Sequence, residues 1–229
     1  MRLAERVTEA TFVSRRGRFA CLVKLPESRQ EVYLANSGRL EGVLLPGRTV
    51  FLAERPSNRR RTSYDLVAAR LNGTVVSVDA RVPAELVNQA LLNQSLEPFA
   101  AYQSVQREVS RGRSRLDFLL SSPRSQCFVE VKSVTLARER QALFPDAPTL
   151  RGRRHVESLT WAAREGYGAA IVFVAQRADV DGFAPNDAVD PDFGSALRTA
   201  RQRGVRVYAY RCNVSPEEIQ LADELPVYL

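Results

Sequence analysis

The sequence has little histidine, lysine or cysteine. One histidine, His155, stands among 229 residues. That excludes an HExxH helix and any zinc site built from several histidines. The three cysteines, Cys21, Cys127 and Cys212, lie far apart and form no CxxC pair. No disulfide framework follows from them, and a reducing, cytoplasmic compartment is the expectation. No apolar run nears the roughly 18 residues of a membrane helix. The opening MRLAERVTEA carries charge with no apolar run after it, so no signal peptide is expected. GxSxG is missing, as is any glycine-rich phosphate loop, which leaves a serine-hydrolase elbow and ATP dependence without support. There is no internal repeat and no low-complexity segment.

What is present is positive charge. The formal net charge is +7 and the isoelectric point about 9.8. Such a balance points to a polyanionic partner, nucleic acid first and an anionic membrane surface a distant second. The hydrophobic fraction of 45% is enough for a real core. Only Lys24 and Lys132 are lysines; every other cationic side chain is arginine. That bias fits a GC-rich coding sequence that drifts to arginine wherever charge alone matters. A lysine kept at 132 is then informative, because a compact ammonium and a planar guanidinium are not interchangeable at a site.

Residues 1–80 read as short strands and turns. RFACLVKL alternates, which predicts Phe19, Cys21, Val23 and Leu25 on one face. EVYLA follows, then a turn at Asn36–Gly38, a Pro46–Gly47 turn, and two strands around Asn72–Gly73, a strong hairpin signal. About five strands without a helix suggest a small barrel, with the OB-fold as the natural candidate. Its loop ERPSNRRRTSYD gathers Arg55, Arg59, Arg60 and Arg61 beside Tyr64, a composition suited to DNA phosphates and bases.

Residues 81–229 read as a second, α/β domain in the order α-β-β-β-α-β-α-β. Pro83 opens a helix whose Leu86, Val87, Ala90 and Leu91 share a face. LARERQALFPDAPTLRG is expected to be a long polar connection, partly mobile. RGRRHVESLTWAAREGYG predicts a helix with a Val156, Leu159, Ala163 stripe, ended by Gly166 and Gly168. AAIVFVAQR is an apolar run typical of a strand covered on both faces. Asp190 caps a further helix, Pro191 sits at its first position and Gly204 ends it. The strand–helix–strand pair predicts a parallel crossover beside the meander, hence a mixed sheet. The acidic residues Asp179, Asp181, Asp187 and Asp192 lack the EF-hand pattern and read as solvated loop.

The chemistry concentrates in SRLDFLLSSPRSQCFVEVKSVTL, residues 114–136. Alternation puts Phe128, Glu130 and Lys132 on one face of a strand. A register that brings Asp117 near Glu130 gathers two carboxylates and one ammonium. Burying carboxylates together costs several kcal/mol unless they are compensated. A divalent cation resolves the conflict, with Asp117, Glu130 and the Val131 carbonyl as oxygen ligands suited to Mg²⁺ or Mn²⁺. Lys132 would then orient water or hold a phosphate, and the reaction class is phosphodiester hydrolysis. The competing reading of ExK is a salt bridge on a solvent-facing sheet. His155, beside Arg151, Arg153 and Arg154, reads as part of a phosphate-facing surface or a helix flank, not as a catalytic group.

SRLDFLL, FVEVKSVTL, FPDAPTLRGRRHVESL, GAAIVFVAQR and DPDFGSALRTARQRGVRVYAYRCNVSP, with SRRGRFACLV, the LPG turn and SYDLV, resemble the sugar fermentation stimulation protein A family. The resemblance implies an N-terminal OB-fold followed by a domain similar to the PD-(D/E)xK nucleases. It implies a cytoplasmic prokaryotic DNA-binding protein, with a role in regulating sugar, particularly maltose, metabolism. By position, Asp117 matches the nuclease aspartate, Glu130 and Lys132 match the ExK pair, and Gln176 matches a glutamine of related nucleases. Glu85 and Glu108 are candidates for outer ligands. The family pattern has cysteine and proline before Asn-Thr-Gly where this chain has YLANSG, so a shared role for that loop is in question. Three functions follow: a metal-dependent DNA-cleaving enzyme, a DNA-binding regulator without catalysis, and an RNA-directed enzyme. The oligomeric state stays open, a homodimer included.

Overall fold

The computed structural model describes residues 1–55, 60–112 and 114–229. Six strands open the chain: β1 (Val7–Arg15), β2 (Ala20–Lys24), β3 (Arg29–Tyr33), β4 (Thr49–Glu54), β5 (Tyr64–Leu71) and β6 (Thr74–Ser77). Their order is β3-β2-β1-β4-β5-β6, and β3 also meets β5 in parallel at Tyr33 and Asp65. The first five strands therefore close in the order 1-2-3-5-4-1, which is the OB topology. Inward residues such as Cys21, Val23, Val32, Val50, Leu52 and Leu66 fill the barrel. The Asn72–Gly73 turn joins β5 to β6 with positive φ at both residues, as a two-residue hairpin needs. Phe19 departs from the alternation. It stands just before β2 after the Gly17 turn and is 44% exposed, while Cys21 and Val23 are buried.

The second domain begins with α1 (Val82–Leu92) and the meander β7 (Ser104–Arg111), β8 (Ser114–Ser121) and β9 (Gln126–Val134). Then come β10 (Ala137–Arg138), β11 (Gln141–Phe144), α2 (Leu150–Arg164), β12 (Gly168–Ala175), β13 (Gly182–Pro185), α3 (Pro191–Gln202), β14 (Arg206–Val214) and β15 (Ile219–Glu224). The large sheet is β15-β14-β12-β9-β8-β7. β9, β12 and β14 are parallel and the outer strands antiparallel, so the sheet is mixed. β12 lies at its centre, which accounts for its unbroken apolar run. One face packs on α1 and the other on α2 and α3, each with its own core cluster.

Two expectations need correction. The Leu136–Gly152 connection is ordered: β11 pairs with β10 and, in parallel, with β13. Strands this short, paired some 40 residues away, leave no periodic signal. Gly168 does not end α2 but starts β12, where a Cβ would sit 3.0 Å from that of Cys127. The acidic residues lie at the surface as expected and pair there with arginines, Asp179 with Arg177, Asp181 with Arg140, Asp187 with Arg198 and Asp192 with Arg153.

The two domains are tied at several points. Leu3 belongs to the core under α1, and Met1 exchanges backbone hydrogen bonds with Ile219. Ser77 donates to Gln176 Oε1 at 3.0 Å, and Gln176 Nε2 donates to Ser133 at 2.9 Å. No helix among the described residues is long and apolar enough to cross a membrane.

Candidate active site

A cleft of about 530 Å³ opens where the ends of β8 and β9, the segment 144–149, the start of α2 and two barrel loops converge. Its floor follows from strand alternation. Phe128 packs in the core under α2, and Glu130 and Lys132 continue that face; Cys127, Val129 and Val131 pack toward α1. The β8–β9 ladder ends at Phe118–Val129, one step short of Asp117. There β8 changes partners: Leu116 joins the α2-side core, while Phe118 and Leu120 join the α1 side. Asp117 takes the place of the missing ladder bond, its Oδ2 accepting from the Val131 N–H at 2.7 Å.

Glu130 is only 3% exposed, so the ExK pair is not a surface salt bridge. Its Oε1 accepts from Lys132 Nζ at 2.6 Å and from His155 Nδ1. Arg151 Nε donates to His155 Nε2 at 3.4 Å. A neutral imidazole that accepts at Nε2 carries its hydrogen at Nδ1, so the ring donates to Glu130. Burial works to raise the Glu130 pKa, yet the Lys132 charge and the His155 contact outweigh it and hold the carboxyl below its usual range. Asp117 moves the other way. Burial, then the Glu130 charge, push it up to about 6, against the Val131 hydrogen bond and the Lys132 charge.

One atom remains unanswered. Glu130 Oε2 is buried with no hydrogen-bond partner among the described residues. A buried carboxylate oxygen without a partner costs on the order of 1–3 kcal/mol or more. Asp117, raised by a neighbouring carboxylate, lines the same cleft. Both features suit a hard divalent cation, which would satisfy Oε2 and favour ionised Asp117. Among the described residues no group of three or more His, Cys, Asp or Glu side chains gathers in metal-binding fashion. A cation here would therefore rely on two carboxylates, main-chain oxygen and water.

The other predicted residues fall into different places. Gln176 is fully buried at the domain junction and does not reach the cleft. Glu85 pairs with Arg107 at 2.8 Å and Glu108 with Arg115 at 3.6 Å, both outside the cleft, so neither is an outer ligand. Arg151 borders the cleft; Arg154 is exposed on α2 and outside it. Arg59 lies outside the described residues. Arg55 and Arg60 are drawn to the buried Asp65, Arg55 also donating to the Leu3 carbonyl at 2.9 Å. Tyr64 is half-buried against the barrel core. Arg61 is the loop residue that stays open, its side chain 88% exposed and 3.5 Å from Glu31.

Several cleft residues carried no clear sequence signal. His155 shares the inward stripe of α2 with Val156, Leu159 and Ala162, which could have marked it as buried. Asn36, Ser37 and Gly38 of YLANSG form a wall of the cleft. Asp146 Oδ2 accepts from the Leu40 N–H at 3.0 Å, joining that loop to the second domain. A Cβ on Gly38 would meet Asp146 Oδ2 at 2.8 Å and Asn36 Oδ1 at 3.0 Å, so a side chain there would displace the carboxylate that holds the Leu40 amide. At the cleft edge α2 begins with Thr149, whose hydroxyl accepts from the Gly152 N–H at 3.0 Å. Its helix N-terminus and Arg151 make that rim favourable to a phosphate.

An OB barrel fused to an α/β domain with a mixed sheet, with an aspartate and an ExK strand meeting in a cleft, is the class that fold and site define. Family models agree: "SfsA N-terminal OB domain" matches residues 13–78 and "Sugar fermentation stimulation protein RE domain" matches residues 81–218. The chain belongs to the sugar fermentation stimulation protein family. It is 46% identical over 231 residues to the homolog of Moorella thermoacetica, covering 99% of each chain. To that of Chloroflexus aurantiacus it is 46% identical over 222 residues, covering 97% of this chain and 86% of the other. The solved SfsA of Pyrococcus furiosus, described as a complex with Ca²⁺, superposes with a TM-score of 0.91 at 30% identity and full coverage of both.

Proposed function

We propose that this protein binds DNA and hydrolyses phosphodiester bonds in the cleft between its domains. The observation that carries the reading is the buried Glu130, whose Oε2 lacks a partner while its pKa is held low and that of Asp117 is pushed up. Asp117, Glu130 and the Val131 carbonyl would hold a divalent cation, Mg²⁺ or Mn²⁺. The Ca²⁺ named for the Pyrococcus furiosus relative supports an oxygen-ligand site. When bound, such a cation acidifies water and offsets charge on the phosphate.

The chain's own residues do the rest. Lys132 Nζ, at the cleft floor, donates to a phosphate oxygen or to the attacking water. His155, its tautomer set by Arg151, fixes Glu130 Oε1 and leaves Oε2 facing the site. Arg151 and the α2 N-terminus hold the phosphate from the rim. Gln176 supports the floor indirectly, through Ser133 beside Lys132.

Nicking of supercoiled DNA in Mg²⁺, Mn²⁺ or EDTA tests the reading, with Lys132→Ala as control. Cation-dependent cleavage should fall by about 10²–10³ in the variant, while salt-sensitive binding survives. Wild-type protein that binds DNA and never cuts would be a regulator on a nuclease scaffold.

A further inference from the structure

A second groove, of about 730 Å³, runs along the barrel beside the cleft. Phe19 and Tyr33 line it with stacked rings, their centroids 6.4 Å apart and planes 27° from parallel. Around them stand Arg16, Arg18, Arg60, Arg61 and Arg81. Arg60 and Arg81 lie over the Tyr33 ring at 5.8 and 5.9 Å. Both are also paired with buried acids, Arg60 with Asp65 and Arg81 with Asp79 at 2.5 Å, so they serve as structural walls. Arg16 and Arg18 have no carboxylate partner among the described residues, and Glu31 is the one acid lining this groove. Arg18 also lies over the Phe19 ring at 5.4 Å, its side chain exposed, and the ring stays 44% exposed at the groove edge amid unbalanced positive charge.

Arg18 lines this groove and the catalytic cleft alike. The shared border is held by one guanidinium. Arg15 donates to the carbonyls of Arg18 at 2.8 Å and Asn36 at 2.6 Å, and to that of Gly38. The two barrel loops that separate groove from cleft are thus fixed to one another.

We infer that the groove binds single-stranded DNA and delivers it to the cleft, with Phe19 stacking on an unpaired base and Arg16, Arg18 and Arg61 contacting phosphates. A ring at a groove edge can stack only on a base whose face is open, which double-stranded DNA does not offer. Arg16 and Arg18, without acidic partners among the described residues, and the exposed Arg61, whose pairing with Glu31 is long at 3.5 Å, supply the backbone contacts and their salt dependence. The inference rests on the reading of the cleft as a DNA-cleaving site. It narrows the substrate to single strands, or to duplexes with a single-stranded segment next to the cut.

The test is binding in EDTA, where cleavage does not interfere. Fluorescence anisotropy would compare a labelled oligo-dT strand, a long two-strand duplex without a loop or overhang, and an oligo-U RNA strand. Phe19→Leu keeps the apolar bulk and removes the ring; Phe19→Trp keeps a ring. Losing a base–aromatic stack should weaken single-strand binding about tenfold, with Phe19→Trp near wild type and duplex binding unchanged. Equal single-strand affinity in wild type and Phe19→Leu overturns the inference, as does equal loss for the duplex. RNA bound as tightly as DNA, with the same dependence on Phe19, overturns the assignment to DNA. Failure of the cleft reading looks different: Phe19-dependent binding persists, but no cation-dependent cleavage of any strand occurs.

Discussion

Two places in this molecule bury carboxylates, and they settle the charge differently. At the barrel edge Asp65 is 3% exposed and faces Arg55, Arg60 and Arg81, while Asp79 is chelated by Arg81. Cations outnumber acids, and no carboxylate oxygen there is left buried and unbonded among the described residues. In the cleft, Glu130 shares Lys132 and His155 through one oxygen, the other oxygen has no partner, and Asp117 adds a second carboxylate. The first cluster is complete by itself. The second leaves a buried carboxylate oxygen over, and that oxygen is what the proposed cation would bind.

The contrast breaks first at the level of activity. Glu130→Gln should remove cation-dependent cleavage by about 10²–10³ or more, a loss comparable to that of a key transition-state group. Asp65→Ala should leave the rate per folded molecule intact while lowering stability by about 2–3 kcal/mol, measured by denaturant unfolding. That cost is on the low side because Arg55 and Arg60 are near solvent and regain water. A cleavage defect in Asp65→Ala at full folding would erase the distinction.

A pH series sharpens it. Asp117 titrates at about 6 in the folded chain against 3.8 as its ordinary value. Between those values the folded chain keeps a proton that the unfolded chain has lost, so stability falls as pH rises through that window. Asp117→Asn should flatten the profile and be more stable than wild type at pH 7, by about 1–3 kcal/mol. Mg²⁺, which favours the ionised form, should raise the wild-type Tm more at pH 7.5 than at pH 5. A variant with the wild-type profile would show that Asp117 is not the strained carboxylate.

Smaller effects test the junction and the discarded ligands. Gln176→Leu leaves Ser77 and Ser133 without their partner and should cost about 1–3 kcal/mol, seen as earlier unfolding in urea. Glu85→Gln and Glu108→Gln should change neither cleavage nor cation affinity, because their side chains face Arg107 and Arg115 outside the cleft.

The central strand, the Asp190-capped helix and the Asn72–Gly73 hairpin were legible because each depends on neighbours within a few residues. So was the pairing of Glu130 with Lys132 on one face, which needs only strand alternation. The arginine loop was legible as charge, but not which of its side chains stay exposed. Nothing local says that Arg55 and Arg60 turn back to Asp65, or that Tyr64 faces the barrel core.

Periodicity and composition by themselves determined the basic charge, a strand-rich first part that suits an OB barrel, an α/β second part, and the shared face of Glu130 and Lys132; the match of Asp117 to them came with the family resemblance. Tertiary structure alone decided that His155 binds Glu130 from 25 residues away. It also decided that Asp146 clamps the Leu40 amide across 106 residues, and that Phe19 leaves its strand pattern to stack on Tyr33. The reason is physical. Alternation and capping are short-range consequences of backbone geometry, whereas which oxygen stays unpaired depends on every element packed around it.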